Sequence, residues 1–141
     1  DEGDRVMPDD SSAAAIVAAA EESRKSLFDL ELGIEKQVDA LRFRAFRESR
    51  ELTEEERDRR TKLRACQAEI RDAHTALAYV TLVRLDSSDE VRLLNARIGE
   101  VNRGLADDLQ ALKELEELAG KVAEVTDKLA QVVTKIAERV V

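Results

Sequence analysis

Apolar residues return every three or four positions along almost the whole of this chain. That spacing marks one face of an α-helix. In the first long segment it is held by Ile16, Ala20, Leu27, Leu30, Ile34, Val38, Leu41 and Ala45. A second stripe runs through Phe28, Leu32, Phe43 and Phe46, and a helix with two apolar faces is expected to touch more than one neighbour. The pattern predicts a first helix over about 11–50. Residues 1–10 are polar, hold the only Pro, and are expected to form a disordered arm that ends in good N-caps at Asp9, Asp10, Ser11 and Ser12.

The first break is polar, at Glu51–Thr53. Thr53 followed by Glu56 matches a capping box, in which the hydroxyl takes the N3 amide and the carboxylate reaches back to the cap amide. A second helix is predicted over about 54–85, with Leu63, Cys66, Ile70, Ala73, Leu77 and Val80 on its apolar face. The second break is Asp86–Ser88, where Ser87 and Glu90 form another capping pair. The third helix is predicted over about 88–140. Counting a and d positions from Val91 to Val140, thirteen of fifteen are apolar, with Asp108 and Thr126 the exceptions. Seven heptads of that quality predict coiled-coil packing. The fold class is therefore all-α: an antiparallel bundle of three long helices over 11–141, with an extended C-terminal helix.

The lengths then matter. At 1.5 Å per residue the helices measure roughly 60, 48 and 80 Å. The third, descending beside the second, reaches the far end of the body near Gly120. The remainder is the most apolar part of the chain. Leaving Leu118, Val122, Val125, Leu129, Val132, Val133, Ile136 and Val140 in water would cost on the order of 10 kcal/mol. Either the chain turns at Ala119–Gly120 and folds back as a fourth helix, or the helix runs straight and this stripe packs against another chain. No Pro, Asn or Ser accompanies Gly120, and the heptad register crosses it unshifted, which favours the straight helix and an oligomer or partner-helix interface at these residues.

Composition agrees with long helices: 43% hydrophobic, 38% charged, 3% aromatic, no Trp. The net charge of −8 speaks for a soluble chain and against general nucleic-acid binding. No run reaches the roughly 20 apolar residues of a spanning helix. The chain starts at Asp1 with Met7 as its only Met, so its natural start is expected to be missing, and the compartment stays open with a lean to the cytoplasm.

Candidate chemistry is sparse. Cys66 sits at a core position, which suits a buried structural thiol better than a reactive one. His74 is the only histidine and has no metal-ligand spacing to any partner. No nucleophile set, phosphate loop or small-molecule site is evident, so the chain is read as a non-enzyme with no metal and no cofactor. Asp108 either sets register as a buried polar group, paired with Arg64 or Arg42, or yields its place to Leu109. The second is preferred. Gly33 and Gly104, at nearly the same height, mark either a close crossing or shared kink of the first and third helices or two tolerated surface glycines. Arginines crowd the first turn, with RFRAFR at 42–47. Phe43 and Phe46 are secondary contact candidates, and Arg42, Arg44, Arg47, Arg57 and Arg60 could hold phosphate or an anionic surface. The expected function is a helical interaction or scaffolding module that self-associates or binds a partner helix.

Overall fold

The computed structural model describes residues 13–82 and 88–140. The 1–10 arm, the caps at 9–12 and the Asp86–Ser87 part of the second break lie outside the described residues. The described residues form four helices: α1 (Ala13–Arg47), α2 (Glu54–Leu82), α3 (Ser88–Ala111) and α4 (Glu116–Val140). They pack against each other, and the described residues contain no strand. Contacts join α1 to α2, α2 to α3, α3 to α4 and α4 back to α1. The helices thus stand at the corners of a square. Arg59 of α2 meets Glu114 just past α3, and Lys128 of α4 meets Glu22 of α1, so successive helices run antiparallel.

The core positions of α1 and α2 are those the spacing predicts. Ile16, Leu27, Leu30, Ile34 and Val38 of α1, with Leu63, Cys66, Ile70 and Leu77 of α2, are wholly buried. The α1–α2 turn also forms as predicted. Glu56 N donates to Thr53 Oγ1 at 3.1 Å, and Thr53 N donates to Glu56 Oε1 at 2.9 Å. The end of α1 is less obvious in the sequence. Arg50 N donates to the Ala45 carbonyl and Ser49 N to the Phe46 carbonyl, a Schellman closure. It puts Ser49 at φ 51°, the left-handed region. Arg50 then clamps the turn by donating to Glu56 at 2.6 Å and to the Glu51 carbonyl, with Glu48 beside it.

The C-terminal third departs from the expected straight helix. The chain breaks at Leu112–Leu115 and folds back, so the predicted 88–140 helix is two helices. The break is eight residues before Gly120, which lies exposed inside α4 and is no terminator. Leu115 N donates to the Leu112 carbonyl at 2.9 Å, and Ala119 N donates to the Leu115 carbonyl at 2.8 Å. No capping side chain takes part in these bonds. The driving force is burial: Leu118, Val122, Val125, Leu129, Val132 and Ile136 all enter the core of their own chain. Core spacing also shifts, from 105, 109 and 112 to 115, 118, 122 and 125, so Leu118, Val125 and Val132 point inward where the unbroken register has Ala119, Thr126 and Val133. Tertiary packing overrides a continuous heptad because most helical stability comes from the face a helix buries.

The glycines do not mark an α1–α3 crossing either. Gly33 faces Leu118 and Lys121 of α4, whereas Gly104 faces Glu69 of α2. A Cβ at 104 would stand 2.6 Å from the Glu69 carboxyl carbon, so this side chain lies across bare α3 backbone.

Two stability outcomes follow. A chain ending at Ala119 is expected to lose its cooperative urea transition, and Leu129→Ala to lower unfolding free energy by about 2–5 kcal/mol. A truncated chain that still unfolds cooperatively as a monomer would show that α4 is dispensable. Ser49→Gly is expected to raise stability by roughly 1 kcal/mol in the same titration, by relieving the left-handed backbone.

Candidate functional site

Burial decides what the surface can offer. The expected partner stripe is largely consumed in cis: Leu118, Val122, Val125, Leu129, Val132 and Ile136 are at most 4% exposed, and Val133 packs at the core edge. The Val140 side chain lies outside the described residues. No partner can therefore dock on that stripe while the bundle stays closed.

Among the described residues, the large apolar side chains left in water are Phe28, Leu32, Phe43 and Phe46 on α1, Tyr79 on α2 and Leu93 on α3. The four on α1 are 58%, 50%, 61% and 79% exposed. At 3.6 residues per turn they fall within about 60° of one another, on a line nearly opposite the buried positions of α1. Hence this second stripe serves no neighbour among the described residues. Phe28 and Leu32 belong to the same surface as Phe43 and Phe46, although the sequence pattern suggested only the latter pair as contacts. Their three-and-four spacing away from the core face is the signal that could have singled them out.

The charges around α1 have distinct fates. On the α2 side, Glu35 accepts from Gln67 at 2.7 Å and from Arg64 at 3.1 Å, which holds its carboxyl below the usual range. On the α4 side, Lys128 donates to Ser26 at 2.6 Å and pairs with Glu124 and Glu22. The outward face keeps Asp29, Lys36 and Asp39 exposed, with Arg42, Arg44 and Arg47 toward its C-terminal end. The Arg47 guanidinium stands 5.9 Å from the Phe43 ring centroid, an exposed cation–π contact.

At the arginine end several guanidinium groups are already engaged within the chain. Arg50, Arg59 and Arg64 are held by Glu56, Glu114 and Glu35. Arg57 donates to the Leu52 carbonyl at 2.8 Å. Arg60 is half-buried on α2, and Arg42, Arg44 and Arg47 of α1 are exposed. Glu56 is held down to about 2 by the Arg50 guanidinium first, and by the Thr53 amide after it.

The interior holds little reactive chemistry. Cys66 is fully buried, and burial pushes its thiol up to about 12. His74 is half-buried, and burial lowers its pKa. No three potential metal ligands gather among the described residues. The α2–α3 seam does hold an acidic pair. Leu109 turns toward the core, as expected, but Asp108 keeps one carboxylate oxygen enclosed without a hydrogen-bond partner. Neither Arg64 nor Arg42 reaches it: Arg64 is spent on Glu35 and Gln67. Burial, and then the charges of Glu69 and Asp107, raise Asp108 from 3.8 to about 6. Glu69 is raised too, by burial and by Asp72.

An acid whose pKa is higher in the fold than in the open chain favours folding when protonated. Stability is therefore expected to fall as pH rises from about 4 to about 6, and to stay lower above it. Urea midpoints across that range check this. Asp108→Asn should raise the midpoint at pH 7.5 and flatten the slope. An unchanged slope would remove Asp108 as its source.

No protein-family model matches the chain, and neither a curated protein nor a solved structure matches it.

Proposed function

We propose that this chain is a non-enzymatic helical interaction module whose contact surface is the outward face of α1. The observation that carries this is the row of four large apolar side chains, Phe28, Leu32, Phe43 and Phe46, at least half exposed on one line opposite the core. Single exposed apolar residues are ordinary, whereas an aligned row on a rigid helix is a helix-binding surface. Its rim carries both signs of charge, which suits a protein contact. The buried stripe of α4 has become the bundle's own fourth wall, so the interaction reading moves from residues 118–140 to residues 28–46.

Phosphate or anionic-surface binding through Arg42, Arg44 and Arg47 is the second reading, supported by their exposure beside Phe43 and Phe46. The two differ in salt response. Phosphate contacts weaken steeply with salt, while an apolar helix contact largely persists.

A photo-crosslinking residue placed at Phe28 or Phe46 in cells is expected to give a discrete adduct, lost when Phe43 is also changed to Ser. The same residue at Gln110, exposed on α3, should give none. Phe43→Ser/Phe46→Ser should stay within roughly 0.5 kcal/mol of the parent stability, since both rings lie in water. Equal labelling from α1 and Gln110 would sink the proposal.

A further inference from the structure

We infer that the occupant of the α1 stripe is the same stripe of a second copy, lying antiparallel across a two-fold axis near residue 37. This rests on α1 being the interaction surface and names what it binds.

The first argument is spacing. Phe28 and Phe46 each lie nine residues from position 37, while Leu32 and Phe43 lie five and six residues from it. The row is thus a near palindrome. Turned through a two-fold, it sets Phe28 against the partner's Phe46 and Leu32 against the partner's Phe43, on both sides of the axis. An isologous contact requires such self-complementarity. A hetero-partner would not.

The second argument is charge. The acids Asp29 and Glu31 precede the midpoint, and the bases Arg42 and Arg47 follow it. Asp29 and Arg47 flank the stripe on the side toward α4, and Glu31 and Arg42 flank it on the side toward α2. In an antiparallel pair like flanks face each other. Asp29 then meets the partner's Arg47, Glu31 meets the partner's Arg42, and Lys36 meets the partner's Asp39 across the middle. A parallel pair would bring opposite flanks together, Arg42 beside the partner's Arg47 and Asp29 beside the partner's Glu31, which costs affinity. The arrangement also gives the arginine run a further use: Arg42 acts on Glu35 only through its charge and Arg47 stacks on Phe43, and neither makes a salt bridge with another described residue of its own chain.

The geometry allows the approach. The outward face of α1 is covered by neither α2 nor α4, and the seam from Phe28 to Phe46 is about 27 Å long. That is a small interface of the weak, reversible kind.

The test is molar mass of the full chain by light scattering and sedimentation equilibrium from about 5 to 500 μM. A monomer–dimer equilibrium is expected. Phe43→Ser should raise the dissociation constant at least about tenfold. Asp29→Arg/Glu31→Arg should weaken the dimer by about tenfold, as should Arg42→Glu/Arg47→Glu, and all four together should restore it to within about threefold of the parent. For orientation, Cys66→Ala chains carrying Leu32→Cys and Phe43→Cys are mixed: antiparallel pairing links the two variants, and parallel pairing links Leu32→Cys to itself. A monomer at every concentration, a parallel link, or a dimer indifferent to these changes overturns the inference. If the purified chain stays monomeric while the α1 crosslinker still captures a different protein, self-pairing fails and the interaction surface stands. If both fail, the surface fails as well.

Discussion

Everything in this fold depends on where the apolar face of residues 118–136 goes. A bundle of α1, α2 and α3 alone has an open side between α1 and α3. The α4 stripe is the match for it, and closing that side removes six large aliphatic groups from water. The antiparallel square, the turn at 112–115 and the inward position of Leu118 all follow from it. The same burial leaves Phe28, Leu32, Phe43 and Phe46 exposed on the outer face of α1. One constraint thus sets both the architecture and which apolar side chains of α1 stay in water.

Much of this was legible because local chemistry and global packing agree. The buried positions of α1 and α2 repeat at three and four, and no feature of the chain competes with that pattern. The Thr53–Glu56 box is a short-range code that forms as written. The Leu112–Leu115 turn was not legible, since it contains no Gly, Pro, Asn or Ser. Lys113 and Glu114 are good helix formers, and the heptad continues through them by coincidence of two core faces. The trace that does exist is the spacing of Leu112, Leu115 and Leu118, three and then three, where an unbroken seam alternates three and four. A fold-back was weighed only at Ala119–Gly120, whereas the turn falls at Leu112–Leu115 and Gly120 lies inside α4.

The candidate surface was half legible for a related reason. Phe28, Leu32, Phe43 and Phe46 announce an apolar face, but a sequence does not say whether the neighbour belongs to the same chain. Only the square arrangement, with α2 and α4 on the two inner flanks of α1, shows that the stripe points away from all three other helices. Phe43 and Phe46 drew attention through their arginine neighbours. Phe28 and Leu32, set among ordinary helix residues, were read as part of the same stripe but not as contacts.

The carboxyl groups at the two ends of the titration range give folding a further character. Glu56 has its pKa lowered by Arg50 and Thr53, so near pH 3 the chain sheds protons as it folds. Asp108 has its pKa raised by enclosure beside Glu69, so near pH 5 the chain takes protons up. Folding is therefore also an exchange with the buffer, of opposite sign at the two pH values. The heat measured for the transition carries the ionisation heat of whatever buffer supplies or accepts those protons.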